Sequence, residues 1–356
     1  MDRVYTAAVI GAGTGGSLSM VGLQASPRFT LTAVADMRPA ALEAVRARYP
    51  GVRTYASHEE LFADCPTDIV CVSTWPPSHL EITRAALAQP LTGILVEKPL
   101  SDNARDGRAV LAAVQAAGLP MATPHNLAVA PHSLEIMARI TAGEIGALRL
   151  IEIECGGWDI INAGIHWLHF CVMLAGGDPA QWVLAAVDQG TRTYRDGMQV
   201  ETMAVTYVQF ASGLRVVMQT GDYVHIAEPG KSTLFRLVGT AGTIEFYAWE
   251  PRYRVLNAAH PHGELFEVTA GGRGGHQRQL ENLAAQMDAG QPDYTIPAAS
   301  LTALELCEGA YLSARLGCLV TLPLDAFTPP APVEWAPGQP YSGQGGGRNG
   351  RELPAL

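Results

Sequence analysis

The sequence predicts a two-domain α/β fold, in which a doubly wound parallel sheet precedes a β-rich, mainly antiparallel half. Three observations lead there. Apolar runs alternate with helical segments up to about residue 124, hairpin-type turn signals dominate after it, and 356 residues exceed what one core usually supports. Residues 1–124 are expected to form the first domain and 125–325 the second. The Pro- and Gly-rich stretch 326–356 lacks periodicity and is expected to be an extended tail.

Element by element, residues 6–10 are a short apolar run suited to a buried parallel strand, and Gly11-Ala12-Gly13-Thr14-Gly15-Gly16 follows at once. A helix is expected over 17–25, then a strand over 31–35 that ends in Asp36, twenty residues after Gly16. This is the dinucleotide fingerprint. Gly11 allows the tight turn, Gly13 lets the backbone approach a pyrophosphate, and Gly16 lets the helix pack closely on the strand. The helix N-terminus, with Thr14 in its first turn, offers N–H groups to phosphate. Asp36 stands where a carboxylate accepts hydrogen bonds from the ribose hydroxyls, and it repels a 2′-phosphate. NAD is therefore expected over NADP, with Arg38 as the residue that could accommodate the extra phosphate.

Helices over 39–48, 59–62, 78–88 and 104–117 alternate with strands over 68–74, 93–97 and 120–123, which implies right-handed crossovers and a parallel sheet. In such sheets ligands lie beyond the strand ends. Two strand ends fall there: Thr74-Trp75-Pro76-Pro77-Ser78-His79 and Glu97-Lys98-Pro99. Lys98 should project towards the cofactor, and His79 could cap its helix or contact a nicotinamide ribose. After residue 131 a helix, a strand over 148–154 and a helix over 163–174 lead into β runs at 182–188, 202–210, 214–220, 233–238, 243–247 and 254–256. These read as an antiparallel meander, closed by helices over 276–289 and 298–316.

The formal net charge of −10 argues against nucleic acid and anionic membranes as partners. No apolar stretch approaches the length of a membrane span. Six scattered cysteines without a CxxC pair read as reduced thiols, and the glycine turn starts at residue 11, so a cytoplasmic protein without a cleaved signal peptide is expected. His166-x-x-His169 and His260-Pro261-His262 lack a third ligand at a recognisable spacing, so no metal is expected.

The order Gly11–Gly16, Asp36, Thr74 to His79, Glu97-Lys98-Pro99 and Gly164-Ile165-His166 resembles the glucose–fructose oxidoreductase / inositol dehydrogenase (Gfo/Idh/MocA) family. So do Leu237 to Thr243 and Ala310-Tyr311-Leu312-Ser313-Ala314. The resemblance implies an N-terminal Rossmann domain and a C-terminal α/β domain with an open, mainly antiparallel sheet. That sheet's exposed face typically forms a homo-oligomer interface, so a homodimer or homotetramer is expected. The resemblance further implies NAD(P)-dependent chemistry on sugars, inositols or related polyols, with Lys98 and His166 at the reacting carbon.

Asn162, His166 and His169 stand at i, i+4 and i+7, so a regular helix would present them on one face. Oxidising a carbinol needs a base for the hydroxyl proton, and neutral imidazole suits it near pH 7. Lys98 can donate to the same oxygen. Three departures from the family pattern stand out. Asn162 replaces the acid four residues before the histidine, His169 replaces a following acid, and Pro124-His125-Asn126 stands where relatives often carry an arginine. An acid restored at 162 would be expected to raise the basicity of His166, and Asp159 is the nearby carboxylate that could stand in for it. His125, Asn126, Asp159 and His169 are the candidate substrate-side residues. The departures leave three readings open: a dehydrogenase or reductase, a redox-neutral lyase, epimerase or glycoside-cleaving enzyme with tightly bound NAD, and a ligand sensor of the same fold.

Overall fold

The computed structural model describes residues 3–188, 193–195, 198–269, 271–324 and 338. The tail expected over 326–356 lies, apart from residue 338, outside the described residues. The first sheet has six parallel strands: β1 (Tyr5–Ile10), β2 (Phe29–Ala35), β3 (Arg53–Tyr55), β4 (Ile69–Val72), β5 (Gly93–Val96) and β6 (Met121–Ala122). Their order, β3-β2-β1-β4-β5-β6, reverses beside β1, which makes the space beyond the β1 and β4 ends the switch point where such sheets bind ligands. The crossovers are α1 (Thr14–Ala25), α2 (Pro39–Arg48), α3 (His58–Asp64), α4 (His79–Leu87) and α5 (Ala104–Ala116). β1, β4 and β5 are buried almost throughout, because helices cover both faces of the sheet.

Two helices, α6 (Pro131–Thr141) and α7 (Ile165–Ala175), flank β7 (Leu148–Gly156) in sequence. The second half then adds β8 (Ala180–Val187), a small hairpin of β9 (Thr193–Arg195) and β10 (Met198–Val200), β11 (Met203–Phe210) and β12 (Arg215–Gly221). Next come β13 (Thr233–Gly239), β14 (Gly242–Tyr247), β15 (Arg252–Asn257) and β16 (Glu264–Glu267), then α8 (Gly275–Ala289), α9 (Thr295–Leu316) and β17 (Val320–Thr321). The nine-stranded order is β16-β15-β14-β13-β7-β12-β11-β8-β17. The expected plain meander is thus split. β7 enters the centre, antiparallel to β13 but parallel to β12, and a parallel neighbour needs a crossover rather than a hairpin.

Two compact units result: residues 1–126 with 272–301, and 127–271 with 302–356. The segment 272–301, which the sequence reading groups with the second domain, belongs to the first. Its helix α8 buries Leu280, Leu283 and Ala284 in a cluster with Val9, Leu23, Ile69 and Leu95 of the parallel sheet. Each of the two leucines contributes roughly 1.5–3 kcal/mol by leaving water, which fixes α8 there. In the second unit, alternation along the strands places Ile151, Ile153, Val216, Met218, Phe235 and Leu237 on a buried face. Phe170 of α7 packs edge-on against Phe235 and Phe246 of that face, at 5.8 and 6.0 Å.

Candidate functional site

In the first unit, β1 runs into Gly11, whose backbone has φ +94°. A Cβ there would lie 2.5 Å from the Ser73 carbonyl oxygen, and one on Gly16 would lie 1.8 Å from the Gly11 carbonyl oxygen. Only glycine fits either place. Gly13 differs: the nearest atom to a Cβ would be Arg38 Nη2 at 4.0 Å, so the backbone there faces open space. No side chain caps α1, so its first N–H groups are directed at whatever occupies that space. This is a cradle for a pyrophosphate. At its edge Asp36 Oδ2 accepts the Ala12 N–H at 2.7 Å, and Oδ1 accepts the Arg38 N–H at 2.8 Å and Nε–H at 3.0 Å. Burial alone would raise the Asp36 pKa, but these bonds outweigh it and hold the carboxyl below its usual range. Arg38 stays 61% exposed, ion-paired to Asp36 at 2.9 Å.

At the β4 end the Thr74 hydroxyl meets Ser78 Oγ at 2.7 Å, Pro76 is buried and the Trp75 indole is 66% exposed. His79, the candidate for a ribose contact, has both ring nitrogens on backbone carbonyls. It is fully buried, with Nδ1 3.0 Å from the Pro99 carbonyl oxygen and Nε2 3.0 Å from that of Thr74. Burial depresses its pKa while the two carbonyls oppose that, and the ring ties two strand ends together. Glu97 is also buried, directly behind the glycine turn, where a Cβ on Gly15 would come within 3.0 Å of its carboxyl carbon. His276 Nε2 lies 2.8 Å from Glu97 Oε1, and its Nδ1 lies 3.2 Å from Asn126 Nδ2. Burial pushes the Glu97 carboxyl up, yet His276 and the Lys98 charge hold it below the usual range. Lys98 follows, half-buried, ahead of a cis Pro99. His125 is fully buried, with Nε2 2.8 Å from Ser300 Oγ, and its carbonyl accepts from Gln279 Nε2 at 3.2 Å. His125 and Asn126, the candidate substrate-side residues, are thus tied to α8 and α9.

The second unit corrects the helix geometry. Residues Ile160–Gly164 form a π-turn that feeds α7, so Asn162 does not share a regular helical face with His166 and His169. Such turns open the i→i+4 ladder and are frequent at functional sites. Asp159, expected as a loop acid, is fully buried and caps this turn: its Oδ1 accepts the Asn162 N–H at 2.8 Å and Nδ2–H at 2.9 Å. The Asn162 amide is therefore oriented with its NH2 edge on Asp159 and its carbonyl oxygen turned away. Arg195 Nη1 pairs with Asp159 Oδ2 at 3.2 Å and stacks its guanidinium 4.4 Å from the Trp158 ring centre. A second carboxyl holds the same turn. Glu201 Oε1 accepts the Ile160 N–H at 2.7 Å, and the Tyr311 hydroxyl donates to Oε2 at 2.9 Å. Burial, then the neighbouring Asp159 charge, push the Glu201 carboxyl up to about 7, and burial with both acids raises Tyr311 further above its usual value.

His169 is fully buried whereas His166 is only partly so. The His166 ring lies 6.1 Å from Trp167 and 6.5 Å, edge-on, from Trp249. His260 Nδ1 pairs with Glu264 Oε2 at 2.5 Å, and His262 is exposed. Among the described residues no three His, Cys, Asp or Glu side chains gather as a metal site. Sequence reasoning missed Arg195, Glu201, His276 and Trp249, and it marked Tyr311 only as part of a family pattern without a role. Each gains its meaning from a partner distant in the chain, and no local pattern marks that partner.

A glycine cradle with an acid at its edge on one doubly wound unit, and an acid-capped histidine helix on the second unit, define a dinucleotide-binding protein of oxidoreductase type. Comparison with known families agrees. A model described as an oxidoreductase family with an NAD-binding Rossmann fold matches residues 5–125, and one described as its C-terminal alpha/beta domain matches 152–322. The chain belongs to this Gfo/Idh/MocA family. It is 27% identical over 225 residues to trans-1,2-dihydrobenzene-1,2-diol dehydrogenase of Danio rerio (58% of this chain, 63% of that protein). It is 28% identical over 210 residues to 1,5-anhydro-D-fructose reductase of Ensifer adhaerens (54% and 60%). The match thus spans less than two thirds of these relatives' length. A solved levoglucosan dehydrogenase, in complex with NADH and levoglucosan, superposes with TM-score 0.78 at 17% identity, covering 90% of this chain and all of that one, which shows a shared fold. Among the described residues no helix is long and apolar enough to cross a membrane.

Proposed function

We propose that this protein transfers hydride between a nicotinamide cofactor and a hydroxyl-bearing carbon of a sugar, cyclitol or related polyol. The observation that carries the reading is the glycine cradle itself: Gly13 open, Gly11 and Gly16 sterically obligatory, and Asp36 fixed at its edge. The residues present fit NAD, whose nicotinamide supplies the hydride acceptor. Gly11, Gly13, Thr14 and Gly16 would hold the pyrophosphate and Asp36 the ribose hydroxyls, with Trp75 and Pro76 bordering the cofactor. NAD is favoured over NADP because the Asp36 carboxylate repels a 2′-phosphate, while Arg38 is already committed to that carboxylate. Lys98 donates to the reacting oxygen and stabilises its developing negative charge, and His166 takes or returns the hydroxyl proton. Asn162, held by Asp159, presents its carbonyl oxygen as an acceptor.

The test is nicotinamide absorbance with a panel of sugars, inositols and dihydrodiols. His166→Ala and Lys98→Ala should each lower turnover by roughly two to four orders of magnitude, with NAD affinity little changed for His166→Ala. Near-normal turnover in both variants refutes these roles. Asn162 in place of the family's acid favours one second reading, a redox-neutral lyase or epimerase with tightly bound NAD; it is recognised by product formation without net absorbance change. We also infer a homodimer or homotetramer. On the open face of the nine-stranded sheet Leu184 and Val205 are 44% and 41% exposed, beside the stacked rings of Trp182 and Tyr207, and a second copy would cover them.

A further inference from the structure

The turn after β14 holds an indole in water beside the proposed proton shuttle. Trp249 is 52% exposed, although its ring lies 5.4 Å from that of the buried Trp167 and 6.5 Å from that of His166. Trp167 in turn packs edge-on against Phe235 of the sheet at 5.6 Å, so the aromatic column is anchored in the core. The backbone on both sides of Trp249 is tied down. The Ala248 N–H donates to the Thr233 carbonyl at 3.1 Å, His132 Nε2 donates to the Ala248 carbonyl at 3.0 Å, and the Glu250 N–H donates to the Tyr247 carbonyl at 3.0 Å. The Glu250 carboxylate pairs with Lys231 and, at 3.2 Å, with Arg252. A turn fixed by this many bonds presents its one large apolar side chain outward in a set orientation. Leaving an indole half in water forgoes the burial that such a ring normally contributes.

We propose that Trp249 is a stacking platform for the substrate ring, and that the substrate is a ring-closed polyol with an exposed C–H face rather than an open-chain one. The inference rests on the reading of His166 as the substrate-side proton shuttle. C–H groups on one face of a saturated or partly saturated ring carry small positive charge. They meet the negative face of the indole, while the hydroxyls at the ring edge remain free for polar groups. An open chain offers no such face and loses rotational freedom on lying flat. Next to His166, the platform also sets which ring carbon is presented.

The experiment measures binding by calorimetry and turnover by nicotinamide absorbance, both with NAD present, for wild type, Trp249→Phe, Trp249→Leu and Trp249→Ala. The ligands are myo-inositol, levoglucosan and trans-1,2-dihydrobenzene-1,2-diol as rings, and sorbitol as the open chain. Thermal denaturation and NAD titration report folding and the other half-site. The expected result is about tenfold weaker binding of the ring ligands in the Leu and Ala variants, equivalent to ~1.4 kcal/mol, with sorbitol within twofold and most of the loss restored by Phe. Equal losses for ring and open-chain ligands, or no loss for rings, overturn the platform. Trp249-dependent ring binding without hydride transfer would uphold the platform and defeat the redox reading. Hydride transfer with sorbitol alone would do the reverse, and absence of ring binding to any of the four proteins overturns the platform outright.

Discussion

Replacing Asn162 by aspartate restores the acid that the family pattern places four residues before the histidine, and sequence logic expects it to raise the basicity of His166. The structure predicts a different outcome. Asn162 Nδ2 lies 2.9 Å from Asp159 Oδ1, so Asn162→Asp puts a second carboxyl oxygen where a donor now sits. Two full charges at that distance repel by about 6 kcal/mol at an effective dielectric of 20, or about four pKa units. Arg195, 3.2 Å from the other Asp159 oxygen, offsets part of this, and Glu201 adds to it. One carboxyl of the new pair should therefore keep its proton at neutral pH instead of serving as an ion. A carboxyl whose folded pKa is raised favours the fold fully below its unfolded pKa of about 4, and that contribution is lost as pH rises through the folded value. The assay is thermal denaturation at pH 5 and pH 8 for wild type, Asn162→Asp and Asn162→Ala. The aspartate variant should lose markedly more stability than wild type between the two pH values. The alanine variant should lose about 1–2 kcal/mol at both, the value of its missing hydrogen bonds. An aspartate variant as stable as wild type at pH 8, with its pH–rate profile shifted upward, would refute the reasoning and restore the expectation drawn from the sequence.

Glu201→Gln isolates the second carboxyl of the cluster. Glu201 is pushed up to about 7 from an ordinary 4.5, so it favours the fold below 4.5 and loses that contribution as pH rises through 7. The amide cannot ionise, so the decline in stability between pH 5 and pH 8 should shrink by at most about 3 kcal/mol, and parallel wild-type and variant curves would count against the assignment. Asp36→Ser removes the charge that faces a 2′-phosphate and frees Arg38, so titration should show NAD preference narrowing or reversing; an unchanged ratio would place cofactor choice elsewhere. Light scattering at micromolar concentration should give a dimer or tetramer mass, reduced by Val205→Arg on the open sheet face; a monomeric wild type defeats that inference.

The nucleotide half-site was legible because every part of it is local. Gly11, Gly13, Gly16 and Asp36 lie within one βαβ unit, and each owes its place to backbone geometry that residue type encodes directly. The alternation of apolar and helical runs also carried the first sheet, except for β3, whose three residues give no periodicity. In the second half the strands were legible but their order was not, because β7 pairs with β12 and β13, which follow it by some sixty residues and more. Short pairings such as β16 and β17 depend on the neighbour alone. The surroundings of His79 were hidden for a related reason: its position at a helix start is visible in sequence, but the two carbonyls at its ring come from Thr74 and Pro99.

The same limit explains the reading of Asn162. Sequence shows a missing acid and can only look to its neighbours for a replacement, which made Asp159 a candidate and left its state open. In the structure Asp159 is a buried carboxylate whose environment is assembled from Arg195 on β9, Glu201 after β10 and Tyr311 on α9, all brought to one π-turn. A carboxyl buried among such partners orients what it touches far more firmly than a solvated one, since breaking any member leaves a charge without compensation. The acid thus caps the turn that feeds the histidine helix and fixes the Asn162 amide. On the proposed reading, Asn162 serves the substrate side as an oriented amide rather than an ion, so stabilising negative charge at the reacting oxygen falls to Lys98.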